Sequence, residues 1–122
     1  MKQILIVEDD ARIAGALEIR LQAAGYETFL AANGFDGLKR AVGKRPDLIV
    51  MDIWMPVGLG FSVAQRLQSL GLSDIPIIFI TASKIHGLKA EAEKLGAVAF
   101  IEKPYDSEKL LEVIEQSLCC VH

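Results

Sequence analysis

The feature that most constrains the fold is a regular alternation between two hydrophobic patterns. Short runs that are almost wholly apolar alternate with segments in which apolar residues recur every three to four positions. The first pattern predicts strands buried on both faces, and the second predicts amphipathic helices. The predicted strands are 3–7, 27–31, 48–51, 76–80 and 98–101. Because each strand is followed by a helix, we predict a doubly wound α/β domain, a five-stranded parallel sheet with helices on both faces and right-handed crossovers.

The helix predictions differ in strength. The first helix has one apolar face and is predicted to stop at Gly25. The last helix, after Pro104, also has one apolar face, and glutamates occupy its opposite side. The two faces consist of Ile13, Leu17, Leu21 and Ala24, and of Leu110, Leu111, Ile114 and Leu118. The middle helices give weaker patterns near 34–42, 61–70 and 86–95, and Gly71 and Gly96 are predicted stops for the last two.

Length and charge narrow the possible functions. A chain of 122 residues with 52% hydrophobic content is sufficient for one core, so residues 1–122 are predicted to form a single domain. The net charge of −3 argues against direct binding to nucleic acid or to an anionic membrane. No signal peptide or bilayer-spanning run is present, and Cys119 and Cys120 are adjacent, near the end of the chain. A soluble, cytoplasmic protein is therefore expected.

Polar residues follow four of the five predicted strands. Glu8, Asp9 and Asp10 follow the first strand, Asp52 the third, Thr81 the fourth and Lys103 the fifth. In a parallel doubly wound sheet, the functional crevice lies beyond the carboxyl ends of the strands. Carboxylates, a hydroxyl and an amine are thus expected to converge at one edge.

Each of these residues also has an ordinary structural interpretation. Asp9 or Asp10 can cap the first helix, which is a common role for aspartate. Thr81 can simply end a strand, Lys103 can be a solvated loop lysine, and Phe100 can belong to the core. The coincidence of such residues at the ends of several strands favours a functional site.

These residues fall within short motifs whose order and spacing resemble a known family. The motifs are VEDD at 7–10, MDIWMP at 51–56, TA at 81–82, GA at 96–97 and FIEKP at 100–104. Over essentially its full length, the chain resembles the receiver domain of two-component response regulators, which has a flavodoxin-like fold.

That resemblance implies the strand order 2-1-3-4-5 and a role for each motif residue. By resemblance, Asp52 is the phosphoacceptor, Asp9 and Asp10 hold a divalent metal, and Lys103 contacts the phosphoryl group. Thr81 and Phe100 are the switch residues.

The chemistry of phosphoryl transfer agrees with this assignment. Attack of a carboxylate on a phosphoryl group brings two anions together, so catalysis requires neutralising charge and in-line positioning. Mg²⁺ prefers an octahedron of oxygen atoms, which Asp10, Asp52 and the backbone carbonyl of Trp54 are expected to supply in part. Lys103 and Thr81 add hydrogen-bond donors.

Two features depart from the usual family pattern. Residues 57–60 form an apolar stretch with two glycines, which leaves the start of the third helix open. Trp54 places a large aromatic two residues beyond the acceptor. Its indole is predicted to hinder water and to prolong the phosphorylated state.

Other functional classes fit these residues less well. A phosphotransferase of the haloacid dehalogenase type requires a second aspartate where Trp54 stands. A flavin- or nucleotide-binding module requires a phosphate-cradling loop where the acidic VEDD stands. A receiver that works without phosphorylation is harder to exclude.

The expected function is a phosphorylation-controlled switch, not a metabolic enzyme. A sensor histidine kinase or phosphotransfer protein is the expected phosphodonor. Output is expected through the fourth helix, fifth strand and fifth helix, toward a protein partner or a phosphorylation-dependent homodimer. The domain either acts alone, which the start at Met1 favours, or is part of a longer regulator.

Overall fold

The computed structural model describes residues 1–52, 59–72, 74–81, 88–94, 96–103 and 105–119. Strands and helices alternate throughout, as the hydrophobic patterns predict. The elements are β1 Gln3–Val7, α1 Ala11–Ala23, β2 Glu27–Ala31, α2 Gly34–Lys44, β3 Leu48–Asp52, α3 Leu59–Ser69, β4 Ile77–Thr81, α4 Leu88–Lys94, β5 Ala99–Glu102 and α5 Ser107–Cys119. No helix in the described parts of the chain is long and apolar enough to cross a membrane.

The five strands form one parallel sheet in the order β2-β1-β3-β4-β5, which confirms the predicted fold and strand order. Val7 pairs in register with Met51, and Asp52 with Ile80. The carboxyl ends of β1 and β3 therefore lie side by side, and β4 separates β3 from β5.

The sheet is covered on both faces by separate cores because successive strand side chains point to opposite sides. Odd-numbered strand residues such as Leu5, Ile49 and Phe79 pack with residues of α2, α3 and α4. Even-numbered residues such as Ile4 and Val50 pack with α1 and α5. Each fully buried aliphatic or aromatic side chain contributes about 1.5–3 kcal/mol to folding. This double burial explains why the strands are apolar on both faces.

Some element ends differ from the predictions by one or more residues. β3 extends one residue further, to Asp52, while β4 and β5 each begin and end one residue later than predicted. On α1, Leu17 and Leu21 are buried, but Ile13 is 38% exposed and Ala24 is exposed. The predicted glycine stops are confirmed, since their φ angles are 97°, 78° and 80° at Gly25, Gly71 and Gly96.

Gly37 allows α2 to approach β1 closely. A Cβ atom at Gly37 would lie 2.8 Å from Cγ2 of Val7, whereas a Cβ at Gly15 of α1 would meet nothing within 4 Å. We expect Gly37→Ala to destabilise the protein by about 1–2 kcal/mol, because overpacking outweighs the gain in helix propensity. Gly15→Ala should stabilise it by about 0.5–1 kcal/mol. Urea unfolding of both variants checks this, and equal stabilisation by the two substitutions would contradict the close approach.

Candidate functional site

Asp52 lies at the carboxyl end of β3 with its side chain only 5% exposed. Its Oδ2 atom accepts a hydrogen bond of 2.9 Å from Nζ of Lys103, which forms a salt bridge. The Oδ1 atom is buried, and among the described residues it has no hydrogen-bond partner. Burying a carboxylate is costly unless it is paired, so this carboxylate depends on its cation.

The backbone places Lys103 for this contact. Its N–H donates to the carbonyl oxygen of Thr81 at 2.7 Å, which fixes the residue after β5 against the end of β4. From there the long side chain reaches past β4 to Asp52 on β3. The sequence analysis predicted that Asp52 and Lys103 would meet at this edge, and the structure brings them together.

Glu8 is a buried carboxylate beside this pair. It follows β1 directly, its side chain is 5% exposed, and its Oε1 atom lies 3.5 Å from Nζ of Lys103. Its Oε2 atom accepts a hydrogen bond from the backbone N–H of Asp10 at 3.2 Å. The sequence analysis placed Glu8 at this edge but assigned it no role.

Asp9 joins the two buried carboxylates, whereas Asp10 does not. Oxygen atoms of Glu8, Asp9 and Asp52 lie within 4.8 Å of one another, and we call these three residues the acidic cluster. Asp10 is the N-cap of α1, and its Oδ1 atom accepts from the backbone N–H groups of Arg12 and Ile13 at 2.9 and 3.4 Å. The structure therefore gives Asp10 the capping role that was considered from sequence.

One sequence signal distinguishes Asp10 from its neighbours. It stands immediately before the first helical residue, Ala11, which is the N-cap position that aspartate favours. A carboxylate that caps a helix turns back toward that helix, so the two preceding acids remain available for the sheet edge. The assignment of Asp10 as a metal ligand is therefore not supported by its position.

The electrostatics of the site reflect an excess of negative charge. Burial, and then the hydrogen bond and charge of Asp52, raise the pKa of Glu8 to about 7. Burial acts to lower the pKa of Lys103, but the hydrogen bond and charge of Asp52, followed by Glu8, raise it overall. Among the described residues, the ammonium of Lys103 is paired with two of the three carboxylates of the acidic cluster, Glu8 and Asp52.

The donor set of the acidic cluster suits a hard divalent cation. Mg²⁺ binds oxygen ligands, usually one or two carboxylates, and retains several waters. Lys103 contacts Oδ2 of Asp52, while the buried Oδ1 atom has no partner among the described residues. The cluster can therefore hold a metal ion. The predicted carbonyl ligand, Trp54, lies outside the described residues, as does its predicted shielding role.

Thr81 and Phe100 occupy the positions expected of residues near the strand ends. Thr81 ends β4, is fully buried, and pairs in register with Glu102. Phe100 lies in β5 opposite Phe79 and packs, partly buried, against the core beneath α2, α3 and α4. Their switch roles stay predictions. The third helix, whose start the sequence left open, begins at Leu59.

An open groove of about 630 Å³ runs along α1 beside this edge. It is lined by charged, apolar and hydroxyl side chains from α1 and from the segment before α5. These residues are Asp10, Arg12, Ile13, Ala16, Leu17, Arg20, Tyr105 and Ser107. The groove extends from the N-cap of α1 past its middle, so it adjoins the site.

Comparisons with known proteins agree with this architecture. The family profile of the response regulator receiver domain matches residues 4–115. Chemotaxis protein CheY4 of Vibrio cholerae superposes with a TM-score of 0.88 at 32% identity, covering 97% of this chain and 99% of that chain. A CheY-like receiver domain from Methanospirillum hungatei gives 0.89 at 29% identity, covering 98% and 94%.

Curated relatives agree with these matches to receiver domains. RpaA of Synechocystis, named a DNA-binding dual master transcriptional regulator, is 38% identical over 91% of this chain and 46% of its own length. PhoB of Pseudomonas aeruginosa, named a phosphate regulon transcriptional regulatory protein, is 37% identical over 90% of this chain and 48% of its own length. The chain spans about half the length of these relatives. It belongs to the receiver domain family of two-component response regulators.

The raised pKa of Glu8 predicts a pH dependence of folding. Between about pH 4.5 and about pH 7, folded Glu8 retains a proton that the unfolded chain has lost. Stability should therefore fall as pH rises through this window when divalent cations are absent. Glu8→Gln should show a smaller fall, measured by melting temperature at pH 5 and pH 7.5 in chelator. The same fall in both proteins would contradict the burial of an ionisable Glu8.

Proposed function

We propose that the protein is a signalling switch that accepts a phosphoryl group on Asp52 from the phosphohistidine of a sensor kinase or phosphotransfer protein. The observation that carries the proposal is the buried Asp52 carboxylate, held 2.9 Å from Lys103 and beside Glu8 and Asp9. Such an arrangement supplies a nucleophile, one cation in contact with it, and carboxylates that could hold a second, metallic cation. Family membership supports the same chemistry.

In the proposed reaction, a carboxylate oxygen of Asp52 forms a new bond to phosphorus as the phosphorus–nitrogen bond of the donor imidazole breaks. Nζ of Lys103 already donates to this carboxylate and can donate to a phosphoryl oxygen. Glu8 and Asp9 would hold Mg²⁺ together with Asp52. When bound, the ion supplies positive charge that offsets repulsion between the carboxylate and the incoming phosphoryl group.

Phosphorylation at this edge is proposed to change a surface formed by α4, β5 and α5. Thr81, at the end of β4, lies between Asp52 on β3 and this surface, and Phe100 lies within β5, which is part of it. A downstream protein or a second copy of the chain would bind it. The net charge of −3 supports recognition of a protein rather than of nucleic acid. We place the domain in the cytoplasm, where sensor kinases expose their phosphohistidine, and assign it no metabolic reaction.

The groove along α1 is suited to the phosphodonor. It presents Ile13 and Ala16 between two arginines, Arg12 and Arg20, and one of its ends lies at Asp10, close to the acidic cluster. A partner seated there would bring its phosphohistidine near Asp52. Apolar contacts flanked by cations are typical of protein interfaces.

The acceptor assignment predicts the outcome of labelling with a small phosphodonor. Incubation with acetyl phosphate and Mg²⁺ should add one phosphoryl group to the wild-type protein, detected by intact mass. Asp52→Asn should remove the label, because it replaces the nucleophile. Asp74→Asn, at an exposed aspartate just before the amino-terminal end of β4 and so at the opposite edge of the sheet, serves as the matched control and should be labelled normally.

Two outcomes would contradict the proposal. Labelling of Asp52→Asn at the wild-type level would place the acceptor elsewhere. No labelling of a folded wild-type protein by acetyl phosphate or by phosphorylated donors would favour the alternative, a receiver that works without phosphorylation.

The metal assignment predicts which carboxylates respond to Mg²⁺. The ion should raise the melting temperature of the wild-type protein, because it binds the folded acidic cluster and not the dispersed chain. Asp9→Asn should abolish most of this shift, whereas Asp10→Asn, whose amide oxygen can still cap α1, should retain it. A shift lost in Asp10→Asn and kept in Asp9→Asn would restore the ligand assignment made from sequence.

A further inference from the structure

Tyr105 lies between the open groove on α1 and the interior side of the acidic cluster. Its side chain lines the groove of about 630 Å³ on one side. On the other side it lines a small cavity of about 10 Å³ whose wall also includes Glu8, Asp52 and Lys103. Ile13 and Leu17 border both spaces as well. Together these three side chains form the partition between the groove and the buried ions.

The small cavity is mostly apolar. Besides the charged residues and Tyr105, its lining consists of aliphatic side chains of the sheet and α1, among them Ile6, Val50 and Ile80. Its volume is close to the least that can hold one water molecule, and almost none of the surface that it exposes is polar. The back of the Lys103–Asp52 pair is thus enclosed by hydrocarbon, where a charge pair is stronger than in water.

Tyr105 is also in electrostatic reach of the pair it encloses. The residue is half-buried and packs against the core beneath α1 and α5. Burial raises the pKa of its phenol, while the charge of Lys103 lowers it and those of Glu8 and Asp52 raise it further. The aromatic ring and the ammonium therefore share one local environment.

We propose that Tyr105 is a positioning residue for Lys103. Its ring separates the cavity from the groove and thereby keeps the flexible lysine side chain directed at Asp52. Lys103 needs such a residue because its side chain is 21% exposed and has a flexible four-carbon stem. Without a constraint, its ammonium would also adopt rotamers that point into solvent. The catalytic consequence rests on the proposed phosphoryl transfer, but the positional role does not.

Removing the ring should join the cavity to the groove. Water would then reach the back of the salt bridge, the local dielectric would rise, and Lys103 would gain other rotamers. Small displacements of a group that contacts the reacting atoms can cost large factors in rate, and we expect about a tenfold slower phosphorylation for Tyr105→Ala. Tyr105→Phe keeps the ring and should react within about twofold of the wild-type rate.

The kinetic test uses acetyl phosphate with Mg²⁺, because this donor reacts at the site without a docked protein. Maximal rate and half-saturating donor concentration are measured by intact mass for wild type, Tyr105→Phe, Tyr105→Ala and Tyr105→Leu. Tyr26→Leu is the matched control, since Tyr26 packs against the same core but lines neither the groove nor the cavity. We expect the maximal rate of phosphorylation, and not the half-saturating donor concentration, to change relative to wild type. This decrease should appear only in Tyr105→Ala and Tyr105→Leu. The Leu variant decides the matter if the Ala variant does not fold.

A second readout is independent of phosphorylation. The side-chain ammonium of Lys103 should give a nitrogen-15 signal protected from exchange with water, assigned by its absence in Lys103→Arg. Wild type, Tyr105→Phe and Tyr26→Leu should keep this signal, whereas the folded Tyr105→Ala or Tyr105→Leu variant should lose it through fast exchange. Exposed Lys109 gives the unprotected reference.

The outcomes separate the two proposals. A folded Ala or Leu variant that retains both the protected signal and the wild-type maximal rate would overturn the role of Tyr105. Loss of rate in Tyr26→Leu equal to that in Tyr105→Ala or Tyr105→Leu would do the same, because the effect would then follow from losing any tyrosine ring that packs against this core. If the wild-type protein accepts no phosphoryl group, the proposed function fails, and the ammonium signal still decides whether Tyr105 positions Lys103.

Discussion

The salt bridge between Lys103 and Asp52 is the interaction on which the site depends. Two carboxylates, Glu8 and Asp52, are almost completely withdrawn from water, and the ammonium of Lys103 is the cation that contacts both. The desolvation of a carboxylate costs several kcal/mol when it is uncompensated. This imbalance of charge is reflected in the raised pKa of Glu8, and it makes the site receptive to a divalent cation.

The parallel sheet is what makes this concentration of charge possible. Its strand order places β1 next to β3, so Glu8 and Asp52 emerge side by side, while Lys103 extends from the end of β5 past β4. The strands themselves are held by the two cores, which pack against both faces. Because a densely packed interior resists displacement, side chains at the strand ends can be held against mutual repulsion.

The fold was predictable to a large extent because its signals are local. Each apolar run and each helical spacing lies within a few residues, and the glycine stops at Gly25, Gly71 and Gly96 have the positive φ angles that they imply. The meeting of Asp52 with Lys103 also followed from the strand-end rule. The choice among Glu8, Asp9 and Asp10 was less predictable, because three consecutive acids look equivalent until the start of α1 is located. The exposure of Ile13 was missed for a related reason, since it depends on how α1 sits against the segment before α5.

The sequence by itself determined the alternation of strands and helices, the class of fold and the set of polar residues at one edge, since these follow from hydrophobic period and chain order. Only the tertiary structure decided that Asp10 caps a helix while Glu8 turns inward, and that Oδ2 of Asp52 contacts Lys103. It also decided that Tyr105 stands between an open groove and a buried ion pair. The physical reason is that long-range packing and the energy of burying charge set the direction of a loop side chain. They also set its contact with a residue tens of positions away. Neither cause leaves a periodic pattern in the local sequence.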